Sequence, residues 1–288
     1  MKVLFVGGGN MAQAILGGLL AQKMPASDFR VVEPNAETRA AISVLDVEAF
    51  SSLTTNLIDC DAIVLAVKLQ MMHEAIAPLA GLLTSQVIVS IAAGINTGSL
   101  AVWLGGSAGR YQNVVRTMPN TPALIRAGIT GLYATSGVSR EGSAIAEALL
   151  GAVGKTVWFD DEAMLDAVTA VSGSGPAYVF YFIEALEQAA CELGFDADAA
   201  NLFATQTFLG GAQLAASTNE SPGLLRARVT SKRGTTEAAI KAFDQHALKQ
   251  AFIDGVKAAC ERSRQLGREL GGTPAVATPP ISIPAGKK

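Results

Sequence analysis

Apolar and polar residues along the chain predict a parallel sheet. From the N-terminus to about residue 160, short apolar runs alternate with segments in which apolar residues recur every three to four positions. This alternation is typical of a mostly parallel, doubly wound α/β sheet with helices on both faces. The predicted strands are Val3–Val6, Phe29–Glu33, Val47–Phe50, Ala62–Val67, Val87–Ile91, Val114–Met118, Ile129–Ala134 and Thr156–Phe159, and the predicted helices are Gln13–Lys23, Gln70–Leu83, Thr97–Gly105 and Arg140–Val153.

The pattern changes near residue 160, after which only helices are predicted. The segment Ser172–Pro176 predicts a break between the first two helices, and Ser221-Pro222 predicts an N-cap with proline in the first turn. We therefore expect one domain over 1–160, an all-helical domain over 161–270, and a disordered tail over 271–288. The predicted helices are Ala163–Val171, Ala177–Leu193, Ala197–Ala216, one from Ser221-Pro222 through Val229, and His246–Leu270.

A glycine-rich turn joins the first strand to the first helix. The sequence Gly7-Gly8-Gly9-Asn10-Met11-Ala12 has the G-x-G-x-x-A spacing, directly after Val6. In a strand–turn–helix context this spacing predicts dinucleotide binding, because the glycines allow a tight turn and a close approach of backbone to pyrophosphate. The N–H groups at the helix start then hold the phosphates. The predicted cofactor contacts here are Val6, Gly7, Gly8, Gly9, Asn10 and Met11.

The end of the second strand bears on the choice of cofactor. Glu33 lies 24 positions after Gly9, near the place of the acid that binds the adenosine ribose 2′-hydroxyl in such folds. A carboxylate there favours NADH over NADPH. Arg39, one helical turn into the next segment, is placed to reach a 2′-phosphate, so both cofactors remain open. Asn35 is a further predicted contact.

Ligands of such sheets bind beyond the carboxyl ends of the strands. The residues that follow the central strands are therefore candidate cofactor contacts: Ala66, Val67 and Lys68, then Ala92 and Ala93, then Asn120. Pro119 and Pro122 bracket Asn120-Thr121, which predicts a rigid turn whose two polar side chains face outward.

Composition excludes several classes of function. The chain has 288 residues, half of them apolar, and a formal net charge of −3 without clustered Lys or Arg, so neither nucleic acid nor an anionic membrane is an expected partner. No apolar run approaches the length of a membrane span. Its three cysteines are far apart and its two histidines, His73 and His246, are expected to be structural, which predicts no metal site. A cytoplasmic location is expected.

A second polar segment lies far from the glycine turn. Val229–Ile240 holds hydroxyl residues, a basic pair and a glycine immediately before a helix. Hydroxyl and N–H groups at a helix N-terminus suit a carboxylate, although an ordinary N-cap turn has the same appearance.

This segment resembles the signature of the pyrroline-5-carboxylate reductase family, close to V-T-S-x-G-G-T-T. Val114–Ala123, Val171–Tyr178, Gly7–Ala12 and Ala66–Lys68 also match the family in order, over residues 1 to about 270. The resemblance implies NADPH- or NADH-dependent reduction of 1-pyrroline-5-carboxylate to L-proline. It implies that Thr236 contacts the imine nitrogen, and that Ser231, Gly234, Thr235 and Thr236 bind substrate. It also implies a homo-oligomer built from interlocked dimers.

Two positions depart from the family pattern. Arg233 occupies the place of the first of two glycines, where a positive φ would strain an arginine. Leu69 replaces the proline that usually follows Ala-Val-Lys, which affects only the stiffness of that loop.

Two other functions remain open at this point. A β-hydroxyacid dehydrogenase would need a catalytic lysine in the helical domain, and Lys241, Lys249 and Lys257 lack the expected Gly-rich and Asn-rich surroundings. A non-catalytic NAD(P)H sensor would not need the second polar segment.

Overall fold

The computed structural model describes residues 1–270, and an eight-stranded sheet fills the first part of the chain. The strand order is β3-β2-β1-β4-β5-β6-β7-β8. The first six strands are mutually parallel, β7 runs antiparallel to β6, and β8 runs parallel to β7. The strands are β1 Val3–Val6, β2 Phe29–Val32, β3 Glu48–Phe50, β4 Ala62–Leu65, β5 Val87–Ser90, β6 Val114–Met118, β7 Gly128–Ala134 and β8 Gly154–Trp158.

Helices pack on both faces of this sheet, so that its central strands are buried. Every residue of β1, β4 and β5 is buried, and each face has its own apolar cluster. The prediction of a mostly parallel, doubly wound sheet is confirmed. The helices of this part are α1 Asn10–Ala21, α2 Ala36–Ser43, α3 Met72–Ile76, α4 Thr97–Gly105 and α5 Arg140–Gly151.

The predicted helix Gln70–Leu83 is wrong in extent. Only α3, five residues long, is α-helical, and 3-10 turns at Leu69–Met71 and Ala77–Leu79 flank it. Pro78 lies in the second turn, where its ring and its missing N–H end the α-helical hydrogen bonding.

After β8 the described chain is helical, as predicted. Ser221 accepts a hydrogen bond from the Leu224 N–H and Pro222 occupies the first turn, which confirms the predicted N-cap. The helices are α6 Met164–Val168, α7 Gly175–Glu192, α8 Ala197–Ala216, α9 Pro222–Arg228, α10 Thr235–Gln245 and α11 Leu248–Leu270.

The predicted helix break at Ser172–Pro176 is instead a π-helical turn. Thr169–Gly173 continues α6 into α7, and the Ser174 N–H donates to the Thr169 carbonyl at 2.8 Å, five residues back. Side chains then reach the carbonyls of this turn. The Tyr178 hydroxyl donates to Ala170, and the Asn120 amide donates to Ser172. The glycines and serines therefore widen the helix without ending it.

Within residues 1–270, no helix is long and apolar enough to cross a membrane. The predicted disorder of 271–288 lies outside the described residues.

Candidate functional site

The glycine turn has the close packing that its spacing predicts. Gly7 has φ +100°, and a Cβ added to it would lie 2.6 Å from the Ala66 carbonyl oxygen. A Cβ on Gly8 would lie 2.4 Å from Cδ1 of Ile42. Gly9, by contrast, has open space around it and directly precedes α1. The turn is thus packed against protein at its first two glycines and open at the third, where the N-terminus of α1 begins.

The Glu33 carboxylate is held by two backbone N–H groups. Oε2 accepts from Gly8 and Oε1 accepts from Asn35, each at 2.9 Å. Arg39 donates to the carbonyl oxygens of Glu33 and Pro34, at 2.8 and 2.7 Å. Its guanidinium is therefore bound to the backbone of the same turn.

A cleft of about 550 Å³ opens at this edge of the sheet. Seven of the predicted cofactor contacts line it: Val6, Gly7, Gly9, Glu33, Ala66, Val67 and Lys68. Ser51, Ser52 and Leu53 line it as well, and the sequence reasoning missed them. They follow β3 at its carboxyl end, so the rule applied to the other strands would have found them.

Other predicted cofactor contacts lie outside this lining. Met11 packs partly buried against the core, Asn10 is exposed as the first residue of α1, and the Asn35 side chain caps α2 by accepting from Thr38. Ala92 is buried and Ala93 half-buried after β5. A role in cofactor binding remains a prediction for each of these residues and for Gly8.

The expected outward orientation of the Asn120 side chain is wrong. Asn120 is buried; its amide nitrogen donates to the Ser172 carbonyl at 3.1 Å, and its amide oxygen accepts from the Ile129 N–H at 2.9 Å. The side chain joins the end of β6 to the π turn because both of its polar ends find backbone partners there. Thr121 is exposed, as expected.

The second polar segment is an exposed loop that leads into α10. Gly234 is the N-cap residue and no side chain caps the helix, so the N–H groups of the first turn, which begins with Thr235 and Thr236, have no partner within the helix. Arg233 has φ +62°, the left-handed conformation expected of a glycine position. Its N–H donates to the Glu237 carboxylate at 2.8 Å, and this bond, with Lys241, lowers the pKa of Glu237.

Within one chain, the glycine turn and this loop are not brought together. The cleft at the glycine turn is lined by residues between Val6 and Pro78, and the Ser231–Thr236 loop belongs to the helical part. Helices α7 and α8 meanwhile expose large apolar side chains, among them Phe180 (64%), Tyr181 (68%) and Leu202 (66%). A surface of this kind is typical of protein–protein interfaces, membrane-contact sites and ligand-binding grooves.

Comparison with known proteins gives matching family models for both parts. The model described as pyrroline-5-carboxylate reductase dimerisation matches residues 162–266. The model described as NADP oxidoreductase, coenzyme F420-dependent, matches residues 2–94.

Relatives match over nearly the whole chain. The pyrroline-5-carboxylate reductase of Pseudomonas aeruginosa is 46% identical, with 94% of this chain and 98% of that protein covered. The Coxiella burnetii enzyme structure superposes with a TM-score of 0.84 at 36% identity, covering 92% of this chain and 98% of that chain. The Plasmodium falciparum structure, solved with NADP bound, gives 0.80 at 26% identity, covering 93% and 98%. The matched regions include both the glycine turn and the Ser231–Thr236 loop. The chain belongs to the pyrroline-5-carboxylate reductase family.

Proposed function

We propose that the protein reduces 1-pyrroline-5-carboxylate to L-proline, using NADH or NADPH, as the last step of proline biosynthesis. The observation that carries this proposal is the 46% identity to a named reductase across 94% of the chain. The regions matched by the family models, 2–94 and 162–266, include the glycine turn and the Ser231–Thr236 loop. The reaction is assigned to the cytoplasm.

The residues of the glycine turn fit a dinucleotide. The space beside Gly9 leaves the N-terminus of α1 open to a pyrophosphate, and helix N–H groups favour that anion. Glu33 lies at the end of β2, where an acid contacts the adenosine ribose. Six further predicted contacts follow the strands on the other side of β1: Ala66, Val67, Lys68, Ala92, Ala93 and Asn120. When bound, the reduced nicotinamide supplies the hydride for the carbon of the C=N bond.

The helical part supplies the substrate contacts on this proposal. The uncapped N-terminus of α10, with Ser231, Gly234 and Thr235, binds the substrate carboxylate. Thr236 donates or accepts a hydrogen bond at the imine nitrogen through its hydroxyl. A cyclic imine is readily protonated near neutral pH, so the site needs a hydrogen-bonding group at nitrogen more than a strong acid. This suits a chain in which His73 packs edge-on against Trp103 and His246 caps the C-terminus of α10.

We assign the complete site to a dimer. One subunit provides the cleft at the glycine turn, and helices shared across the dimer provide the Ser231–Thr236 loop. The exposed aromatic residues of α7 and α8 support this arrangement, because two interlocked copies would bury them. The proposed domains are 1–160 for the dinucleotide and 161–270 for dimerisation and substrate.

The two rival functions have less support. Lys241 and Lys257 form ion pairs one helical turn away, with Glu237 at 3.4 Å and Asp254 at 3.9 Å. A β-hydroxyacid dehydrogenase would need such a lysine within hydrogen-bond reach of the substrate hydroxyl, as its acid/base. A sensor would leave the open N-terminus of α10 unexplained.

One assay separates all three functions. Nicotinamide absorbance is followed with pyrroline-5-carboxylate, with 3-hydroxy acids, and with proline at high pH. Oxidation of NADH or NADPH by pyrroline-5-carboxylate is the expected result. No oxidation of either cofactor would overturn the proposed function, and turnover of 3-hydroxy acids alone would establish the first rival.

A further inference from the structure

A buried arginine lies at the junction between the sheet and the helical part. Arg116 is 5% exposed in β6, between β5 and β7. Its guanidinium contacts Glu162 at 3.0 Å and Asp166 at 3.7 Å, both contributed by the start of the helical part. Burial makes these pairs strongly dependent on their geometry, because a displaced partner leaves an uncompensated charge in a medium of low dielectric.

Each carboxylate extends the contact to a further element. Glu162 accepts two hydrogen bonds from Thr97, at the N–H and at the hydroxyl, both 2.7 Å. Asp166 accepts from the Ser263 hydroxyl of α11 at 2.8 Å. These five residues, Arg116, Glu162, Asp166, Thr97 and Ser263, are called the Arg116 cluster. It joins β6 with α4, α6 and α11.

The cluster is adjacent to two segments at the carboxyl edge of the sheet. Thr97 begins α4, three residues after the Ala92–Gly94 loop that follows β5, which is called the β5 loop. The end of α11 packs on the β5 loop, since a Cβ added to Gly94 would lie 3.7 Å from Leu266 Cβ. Asp166 lies one helical turn before the π turn, whose Ser172 carbonyl is bound by Asn120. The Arg116 guanidinium is therefore linked through Glu162 and Thr97 to the loop after β5, and through Asp166 to the helix that leads into the π turn.

The location of the β5 loop and the π turn at the edge of the sheet connects the Arg116 cluster with the reaction. A dinucleotide lies across the edge of such a sheet, with the adenosine half on one side of β1 and the nicotinamide half on the other. Glu33 marks the adenosine side, whereas the β5 loop and the end of β6 belong to the nicotinamide side. The glycine turn, which holds the pyrophosphate, shares no hydrogen bond or ion pair of the Arg116 cluster.

We propose that Arg116 is a positioning residue for hydride transfer: by pairing Glu162 and Asp166 it sets the spacing of the β5 loop and the π turn on the nicotinamide side, without contributing to cofactor affinity. This inference rests on the proposed function. Hydride transfer depends steeply on the placement of the reacting atoms, and a displacement of about 1 Å costs about a hundredfold in rate.

The test compares Arg116→Met, Arg116→Lys and Glu162→Gln with the control Arg268→Met. Arg268 pairs with Glu261 on the exposed face of the same helix that carries Ser263. Arg116→Lys keeps the charge, and Glu162→Gln keeps the cation, so these two variants carry the test if Arg116→Met does not fold. Each variant is measured for kcat and KM, dinucleotide Kd by fluorescence and thermal midpoint. Hydrogen exchange is measured in peptides covering 91–100, 162–173 and, as the reference at the glycine turn, 3–20.

We expect kcat per folded molecule to fall more than about tenfold in Arg116→Met, with partial rescue by lysine, while dinucleotide Kd stays within about twofold. Exchange should quicken in 91–100 and 162–173 and stay unchanged in 3–20. A kcat that is unchanged per folded molecule, or a Kd that rises in proportion to the loss of kcat, would overturn the inference. If the wild-type protein does not reduce pyrroline-5-carboxylate, the proposed function fails, and the exchange and Kd measurements still decide whether Arg116 fixes these segments independently of cofactor binding.

Discussion

Oε2 of Glu33 accepts a 2.9 Å hydrogen bond from the N–H of Gly8, the central glycine of the turn. The carboxylate at the end of β2 is thereby fixed against the turn that begins α1. A second bond, from Asn35, holds its other oxygen. Arg39, the nearby cation, binds the carbonyls of Glu33 and Pro34. A carboxylate in this position would repel a 2′-phosphate, whereas a ribose hydroxyl could donate a hydrogen bond to it.

Replacing that carboxylate should shift the cofactor preference towards NADPH. In Glu33→Ser we expect the ratio of kcat/KM for NADPH to that for NADH to rise at least about tenfold, because a like charge beside a phosphate costs more than about 1.4 kcal/mol. Paired Michaelis–Menten curves for both cofactors measure it. Glu37→Ser, in the first turn of α2, is the matched control. An equal change of this ratio in both variants would show that Glu33 does not determine the cofactor preference.

Loss of the Thr236 hydroxyl should impair turnover and spare cofactor binding. In Thr236→Ala we expect kcat to fall about ten- to a hundredfold, because a hydrogen bond to a charged group contributes about 1.5–3 kcal/mol. Dinucleotide Kd should stay the same, since the residues lining that cleft lie between Val6 and Pro78. Thr236→Ser, which keeps the hydroxyl, should retain most activity. Wild-type kinetics in the alanine variant would exclude Thr236 from the mechanism.

Arg233 should be replaceable by glycine with a gain in stability. Its φ of +62° is unfavourable for any residue with a Cβ, so Arg233→Gly is expected to raise the free energy of unfolding by up to about 1 kcal/mol. Lys232→Gly, at a neighbour without positive φ, should lower it. Thermal midpoints at one fixed protein concentration compare the two variants. Equal shifts would show that the left-handed conformation carries no strain.

Cys60 should make stability fall at alkaline pH. Burial raises the pKa of its thiol from 9.0 to about 11, so the folded state holds this proton more tightly than the unfolded state. The resulting stabilisation is complete below pH 9 and is lost as the pH rises towards 11. Allowing for partial exposure to solvent, it amounts to roughly 1–2 kcal/mol. Urea unfolding at both ends of this range should show the loss in wild type and not in Cys60→Ala; Cys191→Ala is the exposed control. Equal pH dependence in Cys60→Ala would contradict it.

The periodicity of apolar residues was sufficient to predict the sheet and most helices, because the local sequence pattern determines those elements. The buried runs of β1, β4 and β5 and the spacing of α8 are visible in the sequence alone. Two lining residues of the cleft were likewise predicted: Glu33 from its spacing after the glycine motif, and Lys68 from the rule that ligands bind beyond the carboxyl ends of strands.

What the sequence could not predict depends on contacts across long distances. Asn120 looked like an outward turn residue, and only its distant partners Ser172 and Ile129 turn it inward. The ion pairs of Arg116 were not predicted, because Glu162 and Asp166 lie 46 or more positions away in the sequence. A local sequence pattern does not indicate an ion pair between residues so far apart.

The π turn at Thr169–Gly173 has one residue more than an α-helical turn. Each residue advances an α-helix by about 100°, so this extra residue rotates everything after it by that angle relative to α6. The face of α7 that displays Phe180 and Tyr181 owes its direction to a single inserted position. A one-residue deletion within the turn would rotate that face away from its present direction while leaving the sheet and the cleft unchanged, and would therefore alter assembly before it altered nucleotide binding.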